Sequence, residues 1–259
     1  MDKIIVKDIN NLVINKDGYY VISEEVQSKN YEINIIDCKA TIVDLSSSND
    51  KTMKFTNSDV TIIETINDYN LKSLDIENNN SNIDYNIIDL YDNEISYSLK
   101  EVTNTGKCTI NIASVSYKNK KKNYVINTSN LEPNTFNEIN CFGIVKDESL
   151  LNYDVSSFIR NGAKKAIVRQ NSNILLFDEK STGKNNPILI IEENDVKASH
   201  GSSIGKIDDD TMFYLCSRGL SKNEATNLIC LGKIEHLINK INDESIKESL
   251  INKFKERMG

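Results

Sequence analysis

Apolar residues in the first three quarters of the chain recur in short runs, most with a period of two. Examples are Ile4–Val6, Tyr19–Ile22, Ile33–Ile36, Thr41–Val43, Val60–Ile66, Ile83–Leu90, Cys108–Val115, Phe136–Val145, Lys165–Val168, Ile174–Phe177 and Pro187–Ile191. Alternation of this kind, rich in β-branched residues, predicts half-buried strands. The separators are rich in Asn, Asp and Ser, as in SSSND (46–50), ENNNSN (77–82) and NSN (171–173), and these read as turns. Two β architectures fit: an antiparallel sandwich or barrel, and a parallel solenoid whose coils stack along an axis. Related phrases at roughly 20-residue spacing (TIVDL, VTIIET, YNIIDL, CTINIAS), with no amphipathic helices between them, favour the solenoid.

The pattern changes within the stretch from Val196 to Leu231. A strand runs into His200-Gly201, and helical signals follow. Asp208 reads as an N-cap, Asp209 and Asp210 as first-turn acids, and Arg218-Gly219 as the helix stop. Ser221 and Glu224 form a capping box ahead of an apolar stripe at Ala225, Leu228, Ile229, Ile234, Leu237, Ile238 and Ile241. A third helix starts near Asn242-Asp243. The expected architecture is mainly β over residues 1–200, with a small helical domain over 201–259 that packs on the last coils or on a partner.

The net charge of −7, with scattered lysines, gives no basic face for a phosphate backbone, so nucleic acid is not an expected partner. No apolar window approaches the ~20 residues of a spanning helix, and the first apolar run is too short for a signal-peptide core, so a cytoplasmic protein without membrane association is expected. Abundant Ile, Asn and Lys fit the coding bias of an AT-rich genome. The five cysteines (Cys38, Cys108, Cys141, Cys216, Cys230) are odd in number and lack a CxxC pair, which argues against a disulfide framework or a self-contained zinc site. Cys216 and Cys230 fall in apolar helical stripes and read as buried hydrophobes. Helix capping accounts for the three aspartates without a cation. Gly201 and Gly205 lack the Lys-Ser/Thr of a phosphate loop.

One set of phrases is more specific than any of these. Asn161-Gly162-Ala163-Lys164-Lys165, Ile174-Leu175-Leu176, Pro187 before an apolar strand, DVKASHG (195–201), Ile204-Gly205 and FYLCSRGLSKNEA (213–225) occur in an order and spacing that resemble the C-terminal core of the SufB/SufD family of iron–sulfur cluster assembly scaffolds. The family fold is a right-handed parallel β-helix followed by a helical domain. His200 followed by Gly201 resembles the SufD branch, since SufB-like chains tend to carry an acidic residue after that histidine. Family members usually have a further N-terminal helical region; strands begin here almost at once, as in a compact version.

The resemblance implies a non-catalytic scaffold. A SufB-like subunit pairs with it through the β-helix end, and a SufC-like ABC ATPase binds its C-terminal helices, with Arg218, Gly219, Glu224 and Asn227 in the region presented to the ATPase. It further implies that His200 ligates a nascent iron–sulfur cluster, a metal site shared with a SufB cysteine. No such cluster is expected to bind tightly to this chain alone, because Ala198 stands where some SufD relatives carry cysteine. Without the resemblance, a strand-end histidine reads as a structural, hydrogen-bonded residue. Two alternatives stand beside the heteromeric scaffold. One is a homodimer acting with the ATPase alone. The other is a β-helix enzyme acting on acidic polysaccharides through carboxylates such as Asp84, Asp89 and Asp92.

Overall fold

The computed structural model describes residues 3–9, 11–27, 30–67 and 71–259. Fifteen strands occur among them. They are β1 (Lys3–Val6), β2 (Asn11–Ile14), β3 (Gly18–Ile22), β4 (Asn30–Ile36), β5 (Lys39–Asp44), β6 (Asp50–Thr56), β7 (Asp59–Ile66), β8 (Leu71–Asp89), β9 (Ile95–Ser116), β10 (Lys121–Asn130), β11 (Phe136–Val145), β12 (Leu150–Ile159), β13 (Ile167–Leu176), β14 (Thr182–Ile191) and β15 (Lys197–Gly205). Neighbouring strands pair in parallel and the chain alternates between two faces. One face stacks β1, β3, β5, β7, the second halves of β8 and β9, β11, β13 and β15. The other stacks β2, β4, β6, the first halves of β8 and β9, β10, β12 and β14. The protein is therefore a parallel solenoid, consistent with a right-handed β-helix, and not an antiparallel sandwich.

Inward-facing Ile, Val, Leu, Tyr and Phe fill the space between the faces as one continuous core. The ENNNSN stretch is not a loop between strands. It lies inside β8, where the pairing shifts register and Asn80 takes a φ of 60°. That residue belongs to a column of corners, Asp37 (φ 51°), Asn57 (48°), Asn80 (60°) and Gly106 (102°). Asn57 Nδ2 donates to Asp37 Oδ1 at 3.0 Å and Asn80 Nδ2 to Asn57 Oδ1 at 2.9 Å. Asn and Asp tolerate the left-handed region and hydrogen-bond up the column. Gly106 is needed for a second reason, since a Cβ there would lie 2.3 Å from the Ser81 carbonyl oxygen. NSN (171–173) is likewise part of a strand, β13: Ser172 faces inward and the flanking asparagines face solvent. β2 and β12 were not predicted, because the outward Asn, Asp and Ser of β12 mask an inward Leu151, Tyr153 and Val155.

Three helices follow: α1 (Asp209–Ser217), α2 (Lys222–Ile238) and α3 (Glu244–Met258). Their caps are as predicted. Asp208 accepts from Thr211 N at 2.9 Å, Ser221 and Glu224 form the capping box, and Asp243 accepts from Ser245 and Ile246 N. The helical tail is not confined to the last coils. α2 and α3 run back along the outer side of the first face, where Cys230, Ile234, Leu237, Ile238, Leu250 and Phe254 share a core with Tyr19, Val21, Val43, Ile63, Ile88 and Val115. Lys3 and Asp243 pair at 2.6 Å, tying the first strand to the start of α3. Leu228 and Cys216 stand outside this core and are exposed, unlike their predicted stripes. The reason is that α2 buries a narrow face, and α1 buries no residue at all.

Candidate functional site

β14 and β15 each pair on one side only, with β12 and β13. The far edges of both terminal strands carry free backbone donors and acceptors, which are templates for another strand. The side chains there are unusually apolar for an uncovered edge: Ile188, Ile190, Ile191 and Ile204 are each more than 40% exposed.

His200 sits on this terminal coil. In β13 the inward column reads Val168, Gln170, Ser172 and Ile174, all buried, and the register places Ala198, His200, Ser202 and Ile204 directly above them. His200 thus occupies an interior column position in a coil with none above it, and its side chain is exposed. It makes no hydrogen bond or ion pair among the described residues, so it is not the satisfied structural histidine that its strand-end position suggests. The floor beneath is polar. Gln170 Nε2 donates to Ser157 Oγ at 2.7 Å and to the Ile188 carbonyl at 3.0 Å, while Gln170 Oε1 and Asn185 Oδ1 are buried without a donor. Such orphaned acceptors are uncommon in finished interiors.

No group of three or more His, Cys, Asp or Glu side chains with metal-binding spacing occurs among the described residues. The interior thiol Cys141 is buried, and its pKa is pushed up to about 12 by that burial. Cys230, under α2, is raised to about 12 for the same reason, and buried Cys108 lies well above the ordinary thiol range. Cys216 alone is exposed. The carboxylates considered for glycoside chemistry do not converge either. Asp84 pairs with Lys240 at 2.7 Å, Asp89 is buried against Lys122 at 2.7 Å, and Asp92 is exposed.

The other predicted residues gather around the turn between α1 and α2. Arg218 caps α1 and stacks over the Tyr214 ring at 5.3 Å, and Gly219 takes the left-handed φ of 97° that ends the helix. Glu224 is exposed, but its carboxylate is engaged by Ser221 N at 2.8 Å and Ser221 Oγ at 2.6 Å; these bonds hold its pKa below the ordinary value. Asn227 is half-buried. The apolar residues of this region were not singled out from sequence: Phe213 (75% exposed), Tyr214 (55%) and Leu228 (53%). Helical periodicity assigns such residues to a core, and only the position of α1 shows that nothing covers them.

Residues 77–233, from β8 into α2 and including the terminal coil and the α1–α2 turn, match the family model described as SUF system FeS cluster assembly, SufBD core domain. The chain belongs to the SufB/SufD family. The match begins well before Phe158, where the recognisable phrases start. Among its relatives are the iron–sulfur cluster assembly protein SufD of Bacillus subtilis (38% identical over 109 residues, 42% of this chain and 25% of that protein) and SufD of Escherichia coli (30% over 115 residues, 44% and 27%). SufB of Bacillus subtilis is 33% identical over 107 residues, covering 40% of this chain and 23% of that protein. The matched stretch thus spans about a quarter of each relative's length. Among the described residues no helix is long and apolar enough to cross a membrane.

Proposed function

We propose that the chain is a non-catalytic scaffold subunit of a cytoplasmic Suf-type assembly complex. It pairs with a SufB-like subunit through β14 and β15, binds a SufC-like ATPase through α1 and α2, and lends His200 to a nascent iron–sulfur cluster, which is cargo shared between subunits. The observation that carries this reading is the terminal coil itself: two unpaired parallel edges flanked by exposed isoleucines, with an unpartnered imidazole on the open end. A partner strand satisfies the edges and covers the isoleucines, and the same act brings a partner's side chains over His200. Imidazole is a suitable ligand for a cluster that must leave, because it coordinates through one neutral nitrogen and exchanges. The helices suit an ATPase contact because they present Phe213 and Leu228 to solvent while α2 is anchored to the β-helix by Lys240 on Asp84 and by the shared core. Motion imposed on the helices therefore loads the solenoid.

Two outcomes test this. Co-expressed with SufB-like and SufC-like subunits, the chain is expected to elute in one complex, and Phe213→Ser or Leu228→Ser to weaken ATPase pull-down by about tenfold each while the SufB-like subunit is retained. A monomer that ignores both partners overturns the proposal, and a complex with two copies of this chain and no SufB-like subunit favours the homodimer. In the second test, His200→Ala is expected to leave the complex intact, as judged by its elution, but to remove most of the bound iron and sulfide. Undiminished cluster content would exclude a ligand role for His200.

A further inference from the structure

The outer side of the first face carries a column of amide side chains beneath α2. Asn86, Asn111, Asn140 and Asn171 occupy successive register positions, and the next position is Gly201. Each Nδ2 donates to the Oδ1 below it: Asn111 to Asn86 at 2.9 Å, Asn140 to Asn111 at 3.0 Å, Asn171 to Asn140 at 3.1 Å. At the base, Lys240 Nζ and backbone carbonyls close the column. Because the direction is uniform, the column ends on an acceptor, Asn171 Oδ1. Gly201 leaves the following rung empty, and a Cβ built there would sit 3.5 Å from that oxygen.

Above this gap α2 overhangs the sheet and encloses a groove of about 390 Å³, lined by Lys233, His236, Asn171 and Gly201 among others. Lys233 and His236 are one helical turn apart, and neither side chain makes a hydrogen bond or ion pair among the described residues. The groove therefore holds two donors without an acceptor, an acceptor without a donor, and space between them. Its size falls in the range of small-molecule sites.

We propose that this groove binds a small hydroxycarboxylate. Its carboxylate groups accept from Lys233 Nζ and the His236 imidazole, and its hydroxyl donates to Asn171 Oδ1 across the Gly201 gap. An amino acid satisfies the acceptor less well, because its ammonium group would lie beside Lys233. Gly201, Ser202 and Ser203 of β15 line part of the groove, but it opens on the outer side of the sheet under α2, and its occupancy does not depend on the scaffold reading.

The test is a titration of the full chain, isotopically labelled, with citrate, following the His236 imidazole signals assigned from His236→Gln. Citrate is expected to shift them saturably. Tricarballylate, which has the three carboxylates without the hydroxyl, is expected to bind about tenfold more weakly, the equivalent of one hydrogen bond. Gly201→Asn, which fills the empty rung, and Lys233→Gln are each expected to lower citrate affinity by about tenfold or more without moving the unfolding midpoint downward. The absence of any citrate-induced shift overturns the proposal. So does equal affinity for citrate and tricarballylate, equal affinity for inorganic phosphate, or undiminished binding by Gly201→Asn.

Discussion

Replacing Lys51 by methionine is expected to destabilise the β-helix by about 3–5 kcal/mol, the usual cost of removing one partner from a buried ion pair. Lys51 Nζ lies 2.5 Å from Asp44 Oδ2 and 2.8 Å from Glu64 Oε1, and all three side chains are at most 2% exposed. The carboxylates have further donors. Tyr31 and Ser46 serve Asp44, and the Tyr85 and Tyr97 hydroxyls reach Glu64 Oε2 at 2.8 and 2.7 Å. Burial pushes the Asp44 pKa up, but Lys51 outweighs it, and Asp44 titrates below the ordinary carboxylate value. Without the ammonium group two buried carboxylates face each other with only neutral donors. The Asp44 pKa, no longer held down by Lys51, then rises above its unfolded value through burial, so the deficit is small below the unfolded carboxylate pKa and grows as pH rises. Urea denaturation at pH 7 and pH 4.5 measures both effects. The triple variant Lys51→Met/Asp44→Asn/Glu64→Gln is expected to recover most of the loss, which attributes it to uncompensated charge and not to lost volume. An unchanged midpoint for Lys51→Met at pH 7 would mean that the three tyrosines and Ser46 suffice.

The same residues show what the sequence could and could not disclose. Alternation marked most strands, since Tyr31, Ile33 and Ile35 must face inward if Glu32 and Asn34 face out. It gave no warning of Lys51, which occupies an inward position of β6 and is tolerable there only because Asp44 and Glu64, on other strands, converge on it. The helix N-caps and the α1 stop were legible because a cap is a local interaction within four residues, whereas the α2 stripe continues to Ile241, past the helix end at Ile238. Coil corners were misread as loops, since Asn80 bends β8 without ending its pairing. His200 was legible as a residue type in a family phrase, but its exposure depends on β15 being the last coil. The asparagine column was invisible. Its members are 25, 29 and 31 residues apart, and unequal coil lengths leave no fixed period to detect. Phe213 and Leu228 looked like core because periodicity records apolarity and not what packs against it.

Glu101→Gln is expected to stabilise the protein, by about 3 kcal/mol at neutral pH and up to about 5 kcal/mol above pH 8. Glu101 is wholly buried on β9 and has no cation partner; burial raises its pKa to about 8. Donation from Asn137 and the Ser129 backbone favours the carboxylate and burial outweighs it, but the Thr103 contacts fit the protonated acid. Thr103 Oγ1 contacts both Glu101 Oε1 and, at 3.0 Å, Asn137 Oδ1, while Asn137 Nδ2 donates to Glu101 Oε2 at 2.8 Å. One hydroxyl proton cannot serve two acceptors. A protonated Glu101 that donates to Thr103 lets Thr103 donate to Asn137 and Asn137 donate back, closing a ring with every member satisfied. Ionised Glu101 takes the Thr103 proton and leaves Asn137 Oδ1 bare. The sign follows: with the folded pKa above the unfolded value near 4.5, the stability associated with the neutral acid is fully present below pH 4.5 and is lost as pH rises to about 8. Each unit of that separation is worth about 1.4 kcal/mol. Glutamine reproduces the ring, with its amide donating to Thr103 and its carbonyl accepting from Asn137, and carries no charge to desolvate. Stability of the two proteins should therefore coincide near pH 4 and diverge progressively to pH 8, as followed by urea unfolding across that range. Parallel curves would show that Glu101 is charged in the folded protein and that the Thr103–Asn137 ring opens to hold it.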